Sequence, residues 1–502
     1  MKFTILEKEY WFGGSINQGH QMPYGRTSDD VMDLFGGREN DQFVPIMVST
    51  AGRYYWNDKP YRARISGGAI EIEADGGELC GGFGDLRGAY RAAMTAHFPF
   101  TGTLPDRAFF TSQQYNTWME LGVDQTTERI LAYAEGIVAH GLRPGVLMID
   151  GGWQEDYGVY EYFNQRKIPD PKALIDRLHA LGFRVMLWVS PIVSSAGWRF
   201  KELRTQKFLC ADRAGNPVLR KWWSGTSCVM DLTNPACAAW FHEKLKYAMD
   251  TYGADGFKFD AGDAYFYADD DAIYQPMSAR EQTAAFNAFG AAYSFNEFRA
   301  AWKFGGQPIV ARLHDKYHSW DHFGLNTLIP HTVAQGLAGY AYCCPDMVGG
   351  GMISDADKAF DPELFVRWTE ANALMAMMQL SAAPWRVLPA EYYGIVRKYI
   401  RLHESFGAQI YALAQHAAQT GEPIVRHMSY EFPGEGFETC GDQFMLGSDV
   451  LSAPVLVRGA RSRSVRLPMG QWRSDRGEVL DGGRTIAVDA PLDRLPYFVR
   501  VR

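Results

Sequence analysis

"NPACAAWFHEKLKYAMDTYGADGFKFDAGD" (residues 234–263) is the stretch on which the fold turns. Residues 234–253 carry apolar side chains at helical spacing, so they predict an amphipathic helix. The helix leads into "GFKFD" (256–260), a short apolar run that predicts a buried strand ending on an acid. A strand buried on both faces should be an almost continuous apolar run. Charges there are expensive unless they are paired or used. Lys258 inside the run, with Asp260 and Asp263 after it, therefore needs a reason.

The same rhythm extends in both directions. "GVLMIDGGW" (145–153) is a buried strand ending on an acid, "PKALIDRLHALGF" (171–183) a helix, and "RVMLWVSP" (184–191) the next strand. "QPIVARLHD" (307–315) and "LAGYAYCCPDMVGG" (337–350) continue the series. Helices alternating with buried strands make either a doubly wound sheet or a (β/α)₈ barrel. No G-x-G-x-x-G opens a helix after the first strand, so a dinucleotide fold has no support. Asp150, Trp188, Asp260, Arg312 and Asp346 fall at the C-terminal ends of different strands, where a barrel keeps its active site. The expected fold class is thus α/β, a (β/α)₈ TIM barrel over 106–423. Short alternating runs such as "RARISGGAIEIEADG" (62–76) predict a β-sandwich-like domain over 1–105, and "SVRLPMGQWRS" (464–474) belongs to a C-terminal β-sandwich over 424–502.

Composition narrows the class further. With 502 residues the length suggests about three domains. Apolar content of 47% with 22% charged residues fits a globular chain. The net charge of −8 argues against a nucleic-acid surface. Seven scattered cysteines form no C-x-x-C pair, which fits reduced thiols. The start "MKFTILEKEYWFGGS" lacks the apolar region of a signal peptide, and no apolar run reaches the length of a membrane span. The expected location is cytoplasmic, with no membrane partner; homo-oligomerisation is left open.

Asp260 is the best-placed nucleophile candidate for glycosidic bond cleavage, which needs two carboxyl groups across the sugar from each other. Lys258, two residues earlier, points to the same side of the strand and would keep Asp260 ionised. A buried Lys–Asp pair that only holds the barrel interior is the alternative. "VARLHDKYHSWDHFG" (310–324) interleaves Asp315 and Asp321 with His314, His318 and His322, but without the spacings of known metal motifs, so no metal is expected. Asp150 with Trp153, the tryptophans of "KWWSG" (221–225), Arg312 and Asp346 all suit a sugar pocket.

These motifs resemble glycoside hydrolase family 31. "FKFDAGD" is similar to the family's nucleophile strand, "WWSGTSCVMDLTNP" to the loop and helix start before it, and "PDMVGG" to a later loop. "MQLSAAPWR" and "GEPIVRHMSYEFP" resemble segments near the barrel end and the start of the C-terminal domain. The likeness is closest to the branch of the myogenesis-regulating glycosidase and bacterial α-galactosidases. It implies a retaining, exo-acting α-galactosidase with Asp260 as nucleophile and Asp321 as acid/base. Asp150, Lys258, Arg312 and Asp346 would bind sugar hydroxyls, Trp188 and Trp223 would form apolar walls, and Trp11 of "WFGG" would help close the pocket. The partner is a carbohydrate and no cofactor is needed. "HSWDHFGLN" is about one residue shorter than the family pattern, which leaves His322 as a rival for the acid/base slot. "IDGGW" has Gly151 where relatives often carry a second acid. An α-glucosidase, an α-N-acetylgalactosaminidase and a non-catalytic sugar-binding protein are the alternatives.

Overall fold

The computed structural model describes residues 1–35 and 41–501. Its contacts separate two compact units, one built on 114–302 and the other on 1–35, 41–113 and 303–501.

The 114–302 unit alternates strands and helices: β1 (Gln114–Asn116), α1 (Thr127–Ala139), β2 (Val146–Ile149), α2 (Pro171–Ala180), β3 (Arg184–Val189), α3 (Pro235–Tyr252), β4 (Gly256–Phe259), α4 (Ala279–Gly290) and β5 (Asn296–Phe298). The five strands pair in parallel and in chain order. The opening stretch folds as its residues dictate. The Asn234 side chain accepts from Ala236 N at 3.0 Å and so caps α3, and Pro235 occupies the first turn, where its missing N–H costs nothing. Gly253, at φ +92°, ends the helix in a left-handed turn that a Cβ would strain. Cys237, Trp240, Phe241, Leu245 and Ala248 form the buried stripe of α3, and all four residues of β4 are buried. An antiparallel hairpin, Arg220–Trp222 with Gly225–Val229, is inserted between β3 and α3.

The other unit holds β6 (Ala311–Arg312), α5 (Leu328–Leu337), β7 (Cys343–Cys344), α6 (Pro362–Asn372), β8 (Gln379–Leu380) and α7 (Ala390–Thr420). Its β6 and β7 are parallel. The barrel strands β1–β8 divide five and three between the two units. Antiparallel sheets make up the N-terminal part of this unit. Here the structure corrects an expectation: Trp11 of "WFGG", expected to help close the pocket, lies in a strand paired with Gln42–Ser49 and has no exposed surface. Its ring packs 5.2 Å from Phe3 and 5.3 Å from the Arg53 guanidinium, so it serves the N-terminal core. The C-terminal part has a six-stranded and a two-stranded sheet around Trp472, Met445, Leu451, Leu467 and Phe498. One helical turn (Met428–Glu431) persists beyond residue 424, and Met428 belongs to that core.

Two fully buried histidines make this unit acid-sensitive. His403 points Nδ1 at Ala373 O, and His427 accepts from Ser429 N at 3.1 Å. Burial pushes both imidazoles down to about 4. An unfolded histidine takes a proton near pH 6.5, so stability is full above that value and falls as the pH drops toward 4. At pH 5 the loss is about 2 kcal/mol per histidine. Urea midpoints are expected to drop between pH 7 and pH 5, and substituting Gln for His403 should flatten that dependence. Among the described residues no helix is long and apolar enough to cross a membrane.

Candidate active site

Asp260 stands at the end of β4, with its side chain 12% exposed. Three groups of the same unit hold its carboxylate. Trp188 Nε1, near the end of β3, donates to Oδ2 at 3.0 Å; Arg299 Nε donates to Oδ1 at 3.0 Å; the Ala261 N–H donates to Oδ1 at 2.8 Å. Ala261 has φ +55°, so the chain leaves the strand through a left-handed turn that a non-glycine residue adopts at some cost. Gly262 follows, where a Cβ would lie 2.1 Å from Phe286 Cδ1. Strand end, strained turn and close packing together fix the direction in which Asp260 points.

Two cations stand in this part of the sheet. Lys258 donates to Asp150 Oδ2 at 2.7 Å, and that pair is almost fully buried. Lys258 belongs to β4 and Asp150 follows β2, so the pair spans β3 inside the sheet. Arg299, just after β5, places a guanidinium on Asp260. Its guanidinium also grips Asp263 with two bonds, at 2.8 and 2.6 Å. Burial works against the Arg299 charge, but Asp263 and Asp260 more than reverse this and hold it well above the usual range. Burial holds the Asp263 carboxyl above its usual range despite the Arg299 bonds. Asp263 thus positions Arg299.

Aromatic rings border this carboxylate. Tyr157 lies 6.0 Å from Trp188 and 4.7 Å from Trp222, and its hydroxyl is 3.0 Å from Ser224 Oγ at the hairpin tip. Trp223, 52% exposed, lies 5.9 Å from the Arg299 guanidinium and 5.7 Å from Phe266. Trp153 is different: it is fully buried and donates to Trp188 O at 2.8 Å, so it supports the wall from behind. A Cβ on Gly151 would meet the Trp188 ring at 3.7 Å, ordinary contact distance.

In the other unit, Arg312 at the end of β6 donates to Asp346 at 2.7 Å and to Asp315 at 2.8 Å. Arg312 and Asp346 are fully buried, whereas the Asp315 side chain is 32% exposed. Burial raises the Asp346 carboxyl, and Arg312 opposes that rise. Asp321 sits in an open cleft with Tyr317, His318, Phe323, Asp355 and Lys358. Ser319 Oγ donates to Asp321 Oδ1 at 2.6 Å and Phe323 N at 2.9 Å, and these bonds hold its carboxyl below the usual range. His318, grouped with His314 and His322 by sequence, uses Nδ1 on Gly349 O and accepts from Asp361 N through Nε2. His322 is exposed and lies against Phe323.

Residues 103–413 match the glycosyl hydrolases family 31 TIM-barrel domain, and residues 421–501 match the family 31 C-terminal domain. The chain belongs to glycoside hydrolase family 31. Myogenesis-regulating glycosidase of Mus musculus is 32% identical over 431 residues, 82% of this chain and 60% of that protein. Alpha-glucosidase 2 of Bacillus thermoamyloliquefaciens is 26% identical over 412 residues, 75% of this chain and 51% of that protein. The chain therefore spans 51–60% of the length of these curated relatives. The GH31 dextranase of Flavobacterium johnsoniae, solved with glucose, shares the fold at a TM-score of 0.84 and 20% identity, covering 100% of this chain and 66% of that one. In this family 31 barrel, Asp150, Trp188, Asp260, Arg312 and Asp346 all lie at or just past the ends of β2, β3, β4, β6 and β7, as barrel chemistry requires. Sequence reading passed over β5. "FR" at 298–299 repeats the "FD" pattern of 259–260, an apolar strand closed by a charge, and that signal leads to Arg299.

Proposed function

We propose that this family 31 chain is a retaining, exo-acting α-glycosidase that releases terminal α-galactosides, with 106–423 as the catalytic barrel between β domains 1–105 and 424–502. The observation that carries the reading is the Asp260 carboxylate, held at a strand end by Trp188 and Arg299 and bordered by aromatic rings. A carboxylate beside a guanidinium stays ionised, as a nucleophile must. Asp260 attacks the anomeric carbon as the glycosidic C–O bond breaks, and Asp321 passes its proton to the departing oxygen. Water then attacks the glycosyl ester, gives its proton to Asp321 and frees Asp260. In the uncovered loop Asp321 is held as a carboxylate, which suits the base step. A leaving group over the cleft would desolvate it, which raises a carboxyl's pKa and favours the acid step. Asp150, Lys258, Arg312 and Asp346 are proposed to order the sugar hydroxyls, and Trp188 and Trp223 to face its apolar surface. The reading uses no cofactor.

An α-glucoside is the second reading, favoured by the names of relatives such as Alpha-glucosidase 2 and Isomaltosyltransferase. Nitrophenyl α-galactoside, α-glucoside, α-xyloside and α-N-acetylgalactosaminide separate these readings. The galactoside is expected to give the highest kcat/KM, and a preference for the glucoside would replace the first reading with the second. Asp321→Ala is expected to lower hydrolysis of natural, poor leaving groups by about 10²–10⁴-fold and to spare activated glycosyl fluorides. Equal loss on both substrates would move the acid role to a neighbour such as His322. Binding of sugar without turnover of even the fluorides would reduce the protein to a sugar-binding homologue.

A further inference from the structure

Three histidines and an aspartate from separate parts of the chain meet at a place the proposed reaction does not use. Asp41 precedes the Gln42–Ser49 strand, His314 follows β6, His331 lies in α5, and His20 lies in the short helix Ile16–Gln21. One donor atom each of Asp41, His314 and His331 lies within 4.8 Å of the others. His20 Nδ1 adds a fourth donor, 3.1 Å from His331 Nε2. The His331 ring centre is 5.4 Å from that of His20 and 6.0 Å from that of His314. Asp41 Oδ2 is 2.7 Å from His314 Nδ1, and Asp41 Oδ1 accepts the His314 N–H at 2.6 Å, so residue 314 is fixed through both backbone and ring. All four residues belong to one compact unit.

We propose that His20, Asp41, His314 and His331 form a binding site for a single divalent transition-metal ion of the zinc class. Nitrogen and carboxylate donors without a thiolate suit zinc and its first-row neighbours better than calcium, which takes oxygen ligands. Donors of a tetrahedral zinc site lie about 3.4 Å apart, given bonds of about 2.0–2.1 Å. The donors stand close enough for side-chain rotation to gather them around one ion. Asp41 and His331 are buried, His314 is partly exposed and His20 is exposed, which leaves an entry path from solvent.

Lys316 shapes the metal-free form. Its Nζ lies 3.0 Å from His331 Nδ1 and 2.9 Å from Thr327 Oγ1, so an ammonium there sends the His331 proton to Nε2, facing His20. The ion would tie the N-terminal segment to the 313–327 loop, which carries Asp321.

The experiment uses the full chain, stripped with chelator and titrated with Co²⁺, whose visible absorption reports low-coordinate nitrogen and oxygen sites. One equivalent is expected to bind, with Zn²⁺ displacing it and raising Tm. His20→Gln alters an exposed side chain, so the fold should survive, and removing a direct donor is expected to weaken Co²⁺ binding by more than the about 10–100-fold that loss of a ligand's outer hydrogen-bond partner costs. His331→Gln should abolish the absorption band. Failure of the wild-type chain to take up one equivalent overturns the site, and so does uptake by His20→Gln equal to that of wild type.

Discussion

Asp260→Ala is expected to lower turnover of every nitrophenyl α-glycoside by about 10⁴-fold or more, the scale of losing a covalent nucleophile. Folding should survive, because the change removes a partly exposed carboxylate and leaves the buried Arg299–Asp263 pair intact. The guanidinium keeps one carboxylate, so no buried charge is stranded. The measurement pairs kcat/KM with Tm. Azide adds a sharper readout. With the carboxylate gone, a small anion enters from the face it occupied, and an α-glycoside substrate then yields a β-glycosyl azide. Near-normal hydrolysis by the variant, or an azide product of unchanged α configuration, would remove Asp260 from the nucleophile role.

Why Asp260 was legible in the sequence and Arg299 was not is a matter of local against tertiary information. The strand "GFKF" announces its burial through an unbroken apolar period, and an acid at its end stands out at once. β5 is "NEF", three residues long with two polar, so neither its period nor its length marks it as a barrel strand. Only the parallel register Phe259↔Phe298 shows that residue 299 ends a strand beside residue 260. The two-residue alternation of a strand relates Lys258 to Asp260, but it carries no information on Asp150, the carboxylate two strands away to which Lys258 donates. Trp11 shows a similar limit. A tryptophan beside paired glycines reads as a loop, yet Gly13 has φ +123° with a would-be Cβ 2.3 Å from Ile46 O, because the two strands approach closely there. The histidine cluster draws on residues 20, 41, 314 and 331, far outside any window in which spacing carries information.

Arg299→Met is expected to destabilise the protein by about 3–5 kcal/mol at neutral pH, the range for removing one partner of a buried ion pair. Arg299 serves two carboxylates whose side chains are 12% and 1% exposed, so its loss leaves both without this partner. The pH dependence identifies the cause. Burial already holds the Asp263 carboxyl above its usual range with Arg299 in place. Without the guanidinium the rise grows, and the folded protein keeps a proton that the unfolded chain loses near pH 4. The deficit is therefore smallest near pH 4 and widens as the pH rises through the interval between the unfolded and folded values. A cavity left by the missing side chain would instead cost the same at every pH. Kinetics should move in the same sense. The acid limb of kcat/KM reports ionisation of the nucleophile in the free enzyme, and it is expected to shift to higher pH once the cation is gone. Arg299→Lys restores the charge but not the fork that spans Asp260 and Asp263, so it should recover part of the stability and part of the limb. A variant as stable as wild type at pH 7, with an unmoved acid limb, would show that Arg299 neither holds Asp260 ionised nor braces the strand end from which it acts.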